Sequence, residues 1–109
     1  MSNYKSGADF ERLCKAALES EGYVCVRSAG SHSPADIIAM RAGEPPVAVQ
    51  CKRDGRLAPA EWNGFLEWCE LAGALPIMAE KVRGGIRWHE IKGRKTGRGS
   101  QPMEDWSLE

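Results

Sequence analysis

The residues of this chain with the clearest capacity for chemistry lie at the ends of two apolar segments. Asp36 opens the segment 36–40, and Gln50 and Lys52 stand near the end of the segment 47–52. The turn between the segments contains a glycine and two consecutive prolines, which predicts a hairpin. In an antiparallel hairpin the start of the first strand lies beside the end of the second, so we expect Asp36 next to Gln50 and Lys52.

These three side chains suggest metal-assisted phosphodiester chemistry. Side chains alternate along a strand, so Gln50 and Lys52 share one face while Cys51 points to the other. Carboxylate and amide oxygens suit a hard divalent cation. Phosphodiester hydrolysis needs such a cation and a nearby group, here Lys52, that handles the proton. The alternative is that Asp36 is only a turn-capping residue before the strand.

The other elements must position this hairpin. Helical spacing of apolar residues predicts helices over 7–20 and 59–72, and apolar runs predict further strands over 23–26, 75–79 and 86–91. The resulting order is α-β-β-β-α-β-β. A helix crossing between the third and fourth strands makes that pair parallel in an otherwise antiparallel sheet. Glu11 lies on the flank of the apolar face of the first helix, where the simplest interpretation of it alone is an exposed carboxylate.

Length and composition indicate one globular domain. The chain has 109 residues, of which 42% are hydrophobic and 28% charged. No run approaches the roughly 20 apolar residues of a membrane helix, and no secretory signal pattern precedes the body, so we expect no membrane contact. The four cysteines form no CxxC pair, which favours structural thiols in a reducing, cytoplasmic setting over a zinc ribbon. If the chain is viral, this would be the host cytoplasm.

Charge is balanced overall but unevenly distributed. The formal net charge is zero, yet residues 81–98 contain seven basic residues against Glu90 alone. The last eleven residues carry three acids and no base. Such a distribution fits a nucleic-acid contact, although a solvated tail has the same composition. We therefore predict a nuclease domain over 1–91 and a C-terminal extension over 92–109 that could be flexible.

Several segments match a known nuclease family in order along the chain. They comprise residues 5–12, residues 22–31, Asp36 and the Gln50-Cys51-Lys52 triplet, followed by strands at 73–79 and 86–91. In these segments the chain resembles the archaeal-type Holliday junction resolvases of the PD-(D/E)xK nuclease superfamily. The resemblance covers about residues 5–91. It implies a restriction-endonuclease-like α/β fold, with a central mixed sheet flanked by helices.

The resemblance also implies a catalytic site. Its catalytic residues would be Glu11, Asp36, Gln50 and Lys52. Mg²⁺, with Mn²⁺ as a substitute, would be held by Asp36, Gln50, Glu11 and the backbone carbonyl of Cys51, while Lys52 would activate water or stabilise negative charge. Gln50 departs from the family, because it stands where a glutamate ligand is usual and contributes no charge.

The implied substrate is branched DNA, a four-way junction, cut by a homodimer with one active site per strand. The residues predicted to contact DNA are Arg12, Arg27, Ser31, Arg53, Lys92, Arg94 and Lys95. Two alternatives remain open: a nicking or flap-type nuclease of the same superfamily, and a DNA-binding module that has lost catalysis through Gln50.

The second helix bears on assembly. Trp62, Phe65 and Trp68 cannot all face inward, since successive residues of a helix turn by about 100°. We predict that Trp68, and less strongly Trp62, is partly exposed in the monomer and covered in a dimer. Ordinary core packing of both tryptophans is the alternative.

Overall fold

The computed structural model describes residues 3–28, 33–97 and 99–108. In these residues it contains the helices Asn3–Ser20 (α1) and Pro59–Ala72 (α2) and the strands Val24–Arg27 (β1), Ile37–Met40 (β2), Val47–Cys51 (β3), Leu75–Val82 (β4), Gly85–Ile91 (β5) and Met103–Asp105 (β6). The first helix begins before the predicted start at residue 7, whereas Pro59 begins α2 as its fixed φ favours.

The strands form one sheet in the order β1-β2-β3-β4-β5-β6. The pairing of β3 with β4 is parallel, and α2 is the crossover between them. The other neighbouring pairs are antiparallel. The predicted fold class, a mixed sheet flanked by helices, is therefore confirmed.

Each face of the sheet is covered by one helix. On one face Cys14 and Leu18 of α1 pack with Val47 and Val49 of β3. On the other face the buried side of α2 packs against Ala48 and its neighbours. The alternation along β3 places Gln50 on the α2 face and Cys51 on the α1 face, as the strand period requires. The site residues at the end of β3 thus lie between the two layers of helix.

The C-terminal segment contains a strand that the sequence pattern did not predict. Residues 103–105 form β6, which extends the sheet beside β5. The ring of Trp106 lies 6.2 Å from that of Trp88 in an edge-to-face arrangement. In the described part of 92–108, this segment packs on the sheet and on α2.

The tryptophans of α2 differ in environment. Trp62 is fully buried and its indole nitrogen donates to the carbonyl of Gly93 at 2.8 Å, so the prediction of partial exposure was wrong for this residue. The indole N–H satisfied inside the fold removes the reason for it to face solvent. Trp68 is half-buried, as predicted.

Among the described residues, neither helix combines the length and the apolar character needed to cross a lipid bilayer.

Candidate active site

Backbone hydrogen bonds fix Asp36 at the start of β2. Its amide donates to the Val49 carbonyl at 2.8 Å, and its carbonyl accepts from the amide of Ser28 at 2.8 Å. The carboxylate oxygen Oδ2 accepts a further bond from the amide of Cys51 at 2.8 Å. The predicted proximity of Asp36 to the end of β3 is therefore confirmed, and among the described residues the second carboxylate oxygen has no hydrogen-bond partner.

The four predicted catalytic residues line one cavity of about 540 Å³. Helix α1 contributes Glu11, and the hairpin contributes Asp36, Gln50 and Lys52. The remaining wall comes from the end of β1, from residues 33–35 and from the first turns of α2. The topology thus brings together residues that are far apart in the chain.

Burial strongly affects the carboxyl group of Asp36. Its pKa is raised to about 6, first by burial, which disfavours the charged form, and in smaller part by the negative charge of Glu11. The Cys51 amide and the positive charges of Lys52 and Arg27 oppose this shift in the pKa. A cation placed beside this buried carboxyl group would strongly stabilise its ionised form.

The amide of Gln50 is oriented by the chain before Asp36. Its nitrogen donates to the carbonyl of Pro34. Because a carbonyl can only accept, the nitrogen must face Pro34, which leaves the amide oxygen as the group available to the cavity. Gln50 is only 8% exposed, so this orientation is held by packing as well as by the hydrogen bond.

Glu11 and Arg27 form an ion pair inside the cavity wall. The distance from Arg27 Nε to Glu11 Oε1 is 2.9 Å, and both side chains are about one-fifth exposed. Arg27 was predicted to hold phosphate, and here it neutralises a predicted metal ligand. A phosphate or a cation entering the cavity would compete with this pair.

Lys52 has a partner that sequence reasoning missed. Its Nζ lies 3.4 Å from Oε2 of Glu61, which stands in the first turn of α2 and lines the same cavity. The amide of Lys52 donates to the carbonyl of Ala79 at 2.9 Å and thus anchors this residue to β4. The signal that could have revealed Glu61 is its place in the first turn of a helix that begins seven positions after Lys52.

The predicted DNA-binding residues are more dispersed. Four of them are exposed and lie outside the cavity: Arg12, Arg53, Lys92 and Arg94. Three of these form ion pairs: Arg12 with Asp9, Lys92 with Glu90, and Arg94 with Glu67. Ser31 lies outside the described residues.

The prediction that Lys95 contacts DNA was wrong. It is 5% exposed, and its Nζ donates to the carbonyl of Leu57 at 2.7 Å and to Oε1 of Gln101 at 3.1 Å. An ammonium group held in this way does not reach a DNA phosphate, so Lys95 leaves the predicted DNA-binding set.

The donor atoms fit a hard divalent cation that takes only a few of its ligands from the protein. In the described part of the chain, no three His, Cys, Asp or Glu side chains come together as a metal-binding group. A cation here would use the second oxygen of Asp36, the amide oxygen of Gln50 and the Cys51 carbonyl, with Glu11 as the nearby second charge. Mg²⁺ commonly binds through one or two carboxylates and retains several waters, which suits this set.

The raised pKa of Asp36 predicts an unusual stability profile for the metal-free protein. The contribution of Asp36 to the free energy of unfolding is present below the ordinary carboxyl pKa. It is lost as pH rises through about 6, because the buried carboxyl group must then ionise. Asp36→Asn should therefore be more stable than wild type at pH 8 by about 3 kcal/mol, from 1.36 kcal/mol per pKa unit. Thermal unfolding with chelator between pH 4 and 8 measures this difference. Parallel profiles of the two proteins would contradict it.

Comparisons with known proteins agree with this geometry. A solved structure of Archaeoglobus fulgidus Hjc, described as a Holliday junction resolvase from an archaeal hyperthermophile, matches with a TM-score of 0.69. That match has 25% sequence identity and covers 94% of this chain and 90% of the other.

Sequence comparison leads to the same group of proteins. The crossover junction endodeoxyribonuclease Hjc of Methanocaldococcus jannaschii is 34% identical over 85 residues, which is 74% of this chain and 62% of the relative's length. The family model described as archaeal Holliday junction resolvase (Hjc) matches residues 2–104, and with them every residue of the cavity. A match over nearly the whole chain, on a fold that also superposes, means that this chain belongs to the archaeal Holliday junction resolvase (Hjc) family.

Proposed function

We propose that this protein is a Mg²⁺-dependent endodeoxyribonuclease that resolves four-way DNA junctions by phosphodiester hydrolysis. The observation that carries the proposal is the convergence of Glu11, Asp36, Gln50 and Lys52 on one cavity in a chain of the resolvase family. Nucleases of this family are generally metal-dependent. The choice of Mg²⁺ rests on the all-oxygen donor set.

Asp36 is the main charged ligand in this proposal, with Gln50 and the Cys51 carbonyl as neutral ligands. When bound, the cation polarises the phosphoryl group and lowers the pKa of a bound water. Gln50 is held in position by Pro34, so its oxygen needs little reorganisation to serve as a ligand. The cation also favours the ionised form of Asp36, whose pKa burial raises to about 6.

Lys52 activates the attacking water or stabilises the negative charge that develops on the phosphate. Its position at the end of β3 places an ammonium group at the rim of the cavity, beside Asp36 and opposite Glu61. Glu61 keeps the lysine oriented toward the cavity. Arg27 can exchange Glu11 for a DNA phosphate, since a bidentate guanidinium binds either anion.

The substrate is recognised by backbone and shape, as suits a junction of any sequence. Arg12, Arg53, Lys92 and Arg94 are exposed and are proposed to contact phosphates outside the cavity. A second copy of the chain supplies the second active site, and the half-buried Trp68 is proposed to lie in the dimer interface. The free thiols of all four cysteines support a reducing, cytoplasmic setting.

Cleavage of a synthetic four-way junction, compared with a linear duplex of the same sequence, tests the proposal. The expected result is Mg²⁺-dependent cleavage of the junction, with paired cuts in opposite strands and little cutting of the duplex. Unpaired cuts in single strands would favour a nicking or flap-type nuclease. Binding without cleavage in Mg²⁺ or Mn²⁺ would identify a DNA-binding module.

Gln50 gives a second prediction, because a neutral ligand is replaceable in two ways. Gln50→Ala removes the amide oxygen and should raise the Mg²⁺ concentration for half-maximal cleavage by at least about tenfold. Gln50→Glu adds a charge near Asp36 and should lower that concentration, but it cannot donate to Pro34 and should destabilise the metal-free protein. A Mg²⁺ titration of cleavage, with thermal unfolding in chelator, measures both effects. A wild-type metal requirement in Gln50→Ala would show that Gln50 is no ligand.

A further inference from the structure

Lys95 is a buried cation that the proposed mechanism does not use. Its Nζ donates to the carbonyl of Leu57 and to Oε1 of Gln101, and it lies 5.5 Å from the ring centroid of Trp62. These partners are neutral, and burial of a charge is costly unless hydrogen bonds compensate it. An ammonium group that is buried at such a cost stays bound to its hydrogen-bond partners.

What it holds is the segment 52–58, which we call the β3–α2 connection. Lys95 binds the carbonyl of Leu57, and Nε2 of Gln101 donates to the carbonyl of Gly55 at 3.0 Å. Gly55 is buried with φ of 70°, and a Cβ at this position would stand 2.6 Å from the carboxyl group of Glu80. The connection is therefore enclosed by β4 on one side and by Lys95 and Gln101 on the other.

The backbone around Lys95 is itself bound to α2. Its amide donates to Oδ1 of Asn63 at 2.8 Å, and its carbonyl accepts from Nδ2 of the same residue at 3.0 Å. The indole nitrogen of Trp62 donates to the carbonyl of Gly93 at 2.8 Å. The segment after β5 thus makes one hydrogen-bonded unit with the start of α2 and the β3–α2 connection.

Within this unit Lys52 and Glu61 line the active site, whereas Lys95 and Gln101 stand outside its lining. The connection begins with Lys52 and leads into the helix turn that carries Glu61, and these two side chains face each other at 3.4 Å in the cavity. We propose that Lys95 is a positioning residue, which fixes the β3–α2 connection and so places Lys52 and Glu61 for the reaction. The inference rests on the proposed nuclease function and assigns it a structural support in the C-terminal segment.

Lys95→Met tests this role, because it keeps the apolar stem and removes the donors. At a temperature well below unfolding, kcat on saturating junction should fall about 10- to 100-fold, the range expected for misplacement of about 1 Å. The Kd for the junction without divalent metal should stay within about twofold, since Lys95 contacts no DNA. A purely structural residue would lower the melting temperature and leave kcat of the folded protein unchanged, which would overturn the proposal.

Amide hydrogen exchange supplies a readout independent of cleavage. The Gly55 amide, which donates to the Lys52 carbonyl at 2.9 Å, should exchange at least about tenfold faster in Lys95→Met, while amides in the middle of β3 should not change. Thr96→Ala is the matched control, as an exposed neighbour expected to leave kcat and exchange unchanged. Unchanged exchange at Gly55 in Lys95→Met would overturn the proposal.

Gln101→Ala decides the matter if Lys95→Met does not fold. It removes the bond to Gly55 from a less buried position and should lower kcat about three- to tenfold with faster exchange at Gly55. Wild-type kcat in this variant would overturn the proposal. Failure of the wild type to cleave would refute the nuclease function separately, and the exchange of Gly55 would then still decide whether Lys95 fixes the connection.

Discussion

Asp36→Asn should reduce junction cleavage by at least about 10³-fold, while the variant still folds and binds the junction. The substitution keeps the shape of the side chain but removes the main charged ligand, and a catalytic metal contributes several kcal/mol of transition-state stabilisation. The backbone bonds that fix residue 36 do not involve the side chain, so the hairpin should persist. Single-turnover cleavage in Mg²⁺, with junction binding measured in chelator, gives both quantities.

The matched control is Asp105→Asn, which neutralises an exposed aspartate on β6 that pairs with Arg87. It should cleave like the wild type. Cleavage by Asp36→Asn at a wild-type rate, in a preparation free of contaminating nuclease, would remove this cavity as the active site.

Lys52→Met should lower the single-turnover rate by about 10²- to 10⁴-fold, the usual contribution of a positioned proton-transfer group. The methionine retains the length of the stem but has no ammonium group for Glu61 or for the reacting phosphate. Because Lys52 is no metal ligand in the proposed site, the affinity for Mn²⁺, measured by calorimetry, should change much less than the rate.

Lys81→Met, at an exposed position of β4, is the control for loss of one positive charge. A rate for Lys52→Met within about tenfold of wild type would contradict a role of Lys52 in the chemical step.

The hairpin could be predicted from the sequence because two local signals agree on it. Alternation fixes which residues of β3 share a face, and the proline-containing turn fixes which ends of the strands meet. Asp36, Gln50 and Lys52 therefore lie where the pattern places them. The parallel pair followed from the crossover helix, whose start at Pro59 and end at Gly73 both have clear signals.

The residues that sequence reasoning missed depend on contacts between distant segments. Glu61 faces Lys52 because α2 packs on the sheet beside the end of β3, and its place in the first turn of α2 is the one local signal for this contact. Lys95 stands in a basic, glycine-containing run that is typical of a solvated tail, yet it is buried by neutral partners. Strand β6 is three residues long and two of them are acidic, so its sequence carries no strand signal. It is a strand because it pairs with β5.

The most direct test of the central claim uses a supercoiled plasmid that extrudes a cruciform, incubated with the wild-type protein and Mg²⁺. Paired cuts across the four-way junction convert the plasmid to linear DNA, whereas unpaired cuts leave a nicked circle. We predict linear product that requires both Mg²⁺ and Asp36. Nicked circles alone, or intact plasmid to which the protein is bound, would contradict the assignment as a junction-resolving nuclease.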